Sequence, residues 1–365
     1  MGYALTRRRF LGAAAVVALT IGLFMAWIGL RIGGARATLW VDDLVTPLAA
    51  LVACVLCVRA RARHGGQLRL FWTLLACATA SWAIAEIIWG YYALILSVPV
   101  PEPSWADVGY LSAIPLTVAA FVAHPATRGS GTRKTRSVFD GLVVATALLF
   151  VSWTLVLGPL WHSANLSTWS GVVTVAYPFG DVVIVFSIVL AIRGMASGGN
   201  RLSLWCLLAA LLAMALTDST FTYLAQVANY TSGTLIDTGW VAAYLGIALA
   251  AFSSHSDAAV VPRAERSTPS LTSLVAPLVP VLLALTVAAV QIRTGQKLDH
   301  AAWLMALGLV MLVLLRQGLM FMELRAPQGD VETSLMERLT YAAMGDASAG
   351  DRPATAYQAA GHEPV

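Results

Sequence analysis

The sequence predicts an all-α, polytopic helical membrane protein with about ten transmembrane helices and both termini cytoplasmic. Three observations carry that prediction. Of 365 residues, 58% are hydrophobic and only 12% charged, with a mean hydropathy of +0.75; a soluble domain carries about twice that share of charge. The apolar residues come in runs long enough to cross a hydrocarbon core of roughly 30 Å. The basic residues, finally, alternate between one set of connections and the other.

The spans read as about 10–30, 40–58, 70–95, 105–124, 138–160, 172–192, 202–228, 237–254, 273–292 and 301–321. The N-terminus and the even-numbered connections hold fifteen Lys or Arg, among them Arg59, Arg61, Arg63 and Arg69. The odd-numbered connections hold four: Arg31, Arg36, Arg293 and Lys297. That asymmetry is the positive-inside signature of a plasma-membrane protein. It also assigns the arginines to topology and to the lipid bilayer as partner, so the net charge of +4 does not point to nucleic acid.

Span one follows TRRRFLG (Thr6 to Gly12), which looks like a twin-arginine export signal. Residues 10–30 are nevertheless long and apolar enough to be a true span, with nine more after them. Span two contains Cys54 and Cys57, a C-x-x-C without neighbouring histidines. These read as small helix residues rather than a metal or redox site.

An acid inside a span is expensive and is by default a functional-site hypothesis. Span three carries Glu86, about 24 Å from its inner end at 1.5 Å per residue, with Trp89 and Tyr92 following it. Span four opens on PEPSWADVGYL, which places Trp105, Asp107 and Tyr110 at its outer mouth. Span five starts at Asp140, next to Arg136, which suggests a local ion pair. Span six contains Tyr177 and Asp181 within YPFGD, where Pro178 and Gly180 can break the helix and free backbone carbonyls. Pro115 can do the same in span four. Span seven carries Asp218 and Tyr223, and span eight opens with Asp237, Trp240 and Tyr244.

Five carboxylates thus fall in the outer half among tyrosines and tryptophans, with no Lys or Arg at that depth. Unpaired carboxylates in low dielectric must bind a cation, share protons, or accept hydrogen bonds from Tyr and Trp. The expectation is a polar, aromatic pocket for a small ligand, cation or proton. Three plainer readings compete with it: an interfacial aromatic belt, helix caps at Asp107 and Asp237, and interhelical hydrogen bonds without a ligand.

A weak internal similarity accompanies these residues. DVGY (Asp107 to Tyr110) opens span four and DTGW (Asp237 to Trp240) opens span eight. The preceding helices carry Glu86, Trp89 and Tyr91, and Asp218, Phe221 and Tyr223. In both, the acid precedes the first aromatic by three residues and the tyrosine by five. A parallel repeat of helix hairpins explains this; chance similarity between apolar helices is the competing explanation.

The domain organisation reads as an eight-helix block (1–254), a polar linker (255–272) and two terminal spans (273–321). A short amphipathic segment (322–344) and a disordered tail (345–365) follow. Arg316 in span ten reads as a snorkelling residue near the inner face. The histidines are too dispersed for a metal cluster, and no motif calls for a cofactor. H-E-x-x-H, G-x-S-x-G and Walker A signatures are all missing, so the chain does not read as an enzyme.

At Trp82, Glu86, Trp89, Tyr91 and Tyr92, then Pro101, Pro103, Ser104, Asp107 and Tyr110, then Tyr177, Pro178 and Asp181, the chain resembles a known module. This is the multi-span N-terminal membrane sensor region of actinobacterial GGDEF and EAL proteins, which make and degrade cyclic di-GMP. The similarity covers about residues 40–320. It implies a membrane sensor whose last helix passes a signal to a cytoplasmic output. No GGDEF or EAL sequence follows here, so a separate cytoplasmic signalling partner is implied. Composition and mid-membrane acids also suit a cation- or proton-coupled secondary transporter. The outward clustering of the acids favours the receptor.

Overall fold

Backbone N–H and C=O groups find no water inside a bilayer, so a spanning chain must satisfy them within its own helices. The computed structural model describes residues 2–101, 103–128, 132–163, 169–194, 201–227, 230–254 and 278–325, and among them there is no strand. The helices are α1 (Gly2–Leu30), α2 (Gly34–Arg63), α3 (Gly66–Gly90), α4 (Trp105–Ala123), α5 (Thr132–Ser152), α6 (Gly158–Ser163), α7 (Trp169–Gly194), α8 (Arg201–Val227), α9 (Thr238–Ser253), α10 (Leu278–Arg293) and α11 (His300–Arg325).

Nine helices among the described residues are long and apolar enough to cross a membrane, as a polytopic membrane protein requires. The expected ninth span, 273–292, is represented by α10, which has 16 residues. At 1.5 Å per residue that is about 24 Å, short of a full hydrocarbon core, and residues 273–277 lie outside the described set. The expected linker (255–272) and disordered tail also lie outside it, as does the amphipathic segment beyond Arg325.

The chain divides into two units, residues 1–316 and 317–365; of the second, only the end of α11 is described. Within the first unit one core joins α1, α2, α3, α4, α7, α8 and α9, and a second joins α5, α10 and α11 through Val143, Ala147, Phe150, Ala284 and Ala302. Small residues set the packing. On α2, Thr46, Ala50, Ala53, Cys57 and Ala60 are buried at alternating spacings of four and three, a seam along which a neighbouring backbone can lie close. Cys57 belongs to that seam, and Cys54 directs its thiol to the Ala76 carbonyl at 3.5 Å.

Two expectations are corrected here. Neither Pro115 nor Pro178 breaks its helix: α4 and α7 run through them. Gly180 instead lets α7 approach α4, since a Cβ there would collide with Ile114. The departures from α-geometry are two π-helical turns, Tyr91–Leu96 and Trp153–Leu157, after α3 and α5. Asp140 is bonded to Arg316, 2.5 Å from Nε to Oδ1, while the side chain of its expected local partner Arg136 is outside the described residues. Both partners are 2% exposed, so Arg316 does not snorkel but ties α11 to α5.

Removing one member of a buried ion pair strands the other charge and costs about 3–5 kcal/mol. Arg316→Ala is therefore expected to lower the chemical-unfolding midpoint in micelles markedly. The double change Asp140→Leu with Arg316→Met should recover most of that loss.

Candidate functional site

Six helices, α2, α3, α4, α7, α8 and α9, close around one cavity of about 170 Å³. Helical spacing decides which side chains reach it. On α3 these are Trp82, Glu86 and Trp89; on α4, Asp107, Tyr110 and Ile114; on α9, Trp240 and Tyr244. Each set steps by three or four residues and so forms a single stripe. Helix α7 contributes Tyr177 and Asp181, and α8 contributes Asp218 and Phe221.

All five of the expected carboxylates therefore line this cavity, together with Trp89, Tyr110, Tyr177, Trp240 and Tyr244. Tyr92 and Tyr223 do not. Tyr223 lies five positions after Asp218, about 140° further round the helix at 100° per residue, and is 53% exposed. Tyr92 sits in the π-helical turn, whose extra residue per turn rotates it off the stripe of Glu86 and Trp89. Its ring instead meets Tyr91 edge-on, centroids 6.2 Å apart. Trp105 is also turned outward, as an interfacial residue would be.

Four wall residues were missed. Asp42 and Asp43 come from the third turn of α2, and Tyr230 with Ser232 from the loop before α9. Two adjacent acids opening an apolar run were a usable signal for the first pair. Nothing local marks Tyr230.

The acids are held by donors from other helices. Tyr244 donates to Glu86 Oε1 at 2.8 Å, and Trp240 Nε1 to Asp218 Oδ1 at 2.6 Å. Tyr177 donates to Asp107 Oδ1 and Tyr230 to Asp237 Oδ1, both at 2.5 Å. Burial and the neighbouring Asp237 push the Tyr230 hydroxyl well above its ordinary range, so it stays a donor. Gly233, at φ +86°, turns its N–H toward two carboxylates at once: Asp42 Oδ2 at 2.7 Å and Asp237 Oδ2 at 2.9 Å. A side chain at that φ would be strained, so glycine suits this turn.

The similarity between DVGY and DTGW extends to geometry. Ser104 with Asp107, and Thr234 with Asp237, each form a capping box. Two residues on, Gly109 rests on Ala85 and Gly239 on Thr217, the residues just before Glu86 and Asp218. One residue further, Tyr110 lies within hydrogen-bonding reach of Glu86, and Trp240 bonds Asp218. Both hairpins thus bring the aromatic of their second helix to the acid of their first.

Not every acceptor is served. Asp42 Oδ1, Asp43 Oδ2 and Asp181 Oδ2 are buried without a hydrogen-bond partner, in residues 3%, 8% and 7% exposed. Among the described residues, seven carboxylates line the cavity and no Lys or Arg does. Among the described residues, no group of three or more His, Cys, Asp or Glu is arranged to hold a metal ion. No family model, curated protein or solved structure matches the chain.

Tyr244→Phe deletes the hydroxyl that serves buried Glu86, and leaving a buried acceptor unserved costs about 1–3 kcal/mol. The expected result is a lower thermal midpoint in micelles. Tyr223→Phe, on the outward face, should leave that midpoint in place.

Proposed function

We propose that the chain is a receptor-like membrane sensor of the plasma membrane, with N- and C-termini cytoplasmic. Its cavity, in the outer half of the bilayer, binds a small ligand and passes the event to a separate cytoplasmic partner. One observation carries this reading: three carboxylates that each keep a buried, partnerless oxygen line the same cavity. A purely structural network would bury these acids with their acceptors satisfied, because an unserved buried acceptor is costly. A ligand that supplies the missing donors shifts the helices toward whichever arrangement it binds better. The resemblance to the membrane region of cyclic di-GMP proteins supports the same reading, with the output supplied by the partner rather than by a catalytic site of this chain.

A second reading, a cation- or proton-coupled secondary transporter, is favoured by the matched hairpins around the cavity. Internal repeats enclosing a mid-membrane site are common in transporters. The two differ in whether charge crosses.

Liposomes carrying the purified chain, recorded on a solid-supported membrane during sodium and pH jumps, separate them. A receptor gives no sustained current, but its thermal stability depends on pH or cation concentration, and Asp181→Asn abolishes that dependence. Sustained current lost in Asp181→Asn establishes the transporter. If Asp181→Asn and Glu86→Gln both leave stability and flux unchanged, the acids are structural and the binding site is wrong.

A further inference from the structure

Resting on the reading that this cavity is a ligand site, we infer that its occupant is an organic dication: a short aliphatic diamine or a molecule with the same two charged ends.

The inventory of donors comes first. The hydroxyl of Tyr244 is committed to Glu86, that of Tyr177 to Asp107, and that of Tyr230 to Asp237. The indole N–H of Trp240 is committed to Asp218, and that of Trp89 to Ser232 at 3.1 Å. The wall has turned these donors onto itself, and what it leaves over is acceptor: Asp42 Oδ1, Asp43 Oδ2 and Asp181 Oδ2. A ligand that completes it must therefore bring N–H or O–H groups. Anions and acceptor-rich molecules would add repulsion to a wall that already carries seven carboxylates and no basic side chain.

The aromatic faces narrow the choice to an organic cation. Eight rings line the same cavity. Phe221 gathers three of them edge-on, with Trp89, Tyr230 and Trp240 at centroid distances of 6.1, 4.8 and 5.6 Å. A ring face attracts an alkylammonium through its quadrupole, and its apolar area suits a methylene chain. A hydrated metal ion gains neither benefit, and among the described residues the acids are not grouped to replace its water shell.

Two charged ends follow from how the open oxygens are distributed. Asp42 and Asp43 come from α2, and Asp42 shares the Gly233 N–H with Asp237. Asp181 comes from α7, which packs against α8, the helix that carries Asp218. Helix neighbours run α2, α3, α4, α7, α8, α9 and back to α2, which puts α2 and α7 on opposite walls of the cavity. Each grouping holds at least one partnerless carboxylate oxygen. A single ammonium serves one of them; a diamine serves both, with its methylenes lying across the rings between.

The test uses the full chain in nanodiscs, with thermal unfolding as readout and four probes: putrescine, butylamine, sodium chloride and butanediol. The expected result is stabilisation by putrescine at a half-saturating concentration at least about tenfold below that of butylamine, a difference of about 1.4 kcal/mol. Butanediol should have no effect. Asp42→Asn and Asp181→Asn should each erase the advantage of the diamine over the monoamine. The wild-type comparison stands without them if either variant fails to fold. Equal response to putrescine and butylamine would overturn the dication, and equal response to sodium would overturn the organic cation; both leave the cavity as a ligand site. No stabilisation by any probe, together with an unaltered response to pH and salt in Asp181→Asn, would remove the ligand site itself.

Discussion

Negative charge withdrawn from water is the condition around which this molecule is arranged. A carboxylate in low dielectric is tolerated only where something replaces the donors that water supplied. Here the replacements are tyrosine hydroxyls, indole N–H groups and the backbone amides of two helix starts. Each comes from a different element than the acid it serves or from the turn just before it. Satisfying the acids therefore fixes which helices are neighbours. The bond from Tyr244 to Glu86 joins α9 to α3, and that from Tyr177 to Asp107 joins α7 to α4. The turn at Gly233 draws Asp42 and Asp237 together and so brings α2 to the mouth of α9.

Within that arrangement the acids divide by what is left over. Asp107 and Asp237 finish helix starts while also facing the cavity, so capping and lining are not rival roles for them. Glu86 is held by Tyr244 of α9, and Asp218 by Trp240 of the same hairpin. Asp42, Asp43 and Asp181 keep unserved oxygens. The matched hairpins α3/α4 and α8/α9 explain how one local pattern supplies two walls. Glycine two residues after the capping acid lets the second helix lie against the residue preceding the first helix's acid, and the next aromatic then reaches that acid.

Much of this was readable in the sequence because helices obey short-range rules. Apolar runs gave the spans, and Glu86, Asp181 and Asp218 declared themselves by being acids inside them. Distance along the chain was a poorer guide than angle around a helix. Tyr223 is close to Asp218 in sequence but on another face, and Tyr92 falls where a π-turn shifts the register. Asp42 and Asp43 were passed over because acids at a span's first turns resemble ordinary boundary residues. The partnership of Asp140 with Arg316 spans 176 positions, and no local pattern encodes a contact at that range. Pro178 and Gly180 suggested an unwound helix, whereas the glycine serves close packing and the helix absorbs the proline.

The bond between Arg316 and Asp140 also bears on how α11 can move. A guanidinium is planar and its N–H groups point in fixed directions, so its hydrogen bonds weaken when the angle changes. A helix held this way at one height resists turning about its own axis, because rotation would swing Arg316 off Asp140. Leaning about that point disturbs the bond far less. The pair thus behaves as a pivot, and any displacement carried along α11 takes the form of inclination rather than spin.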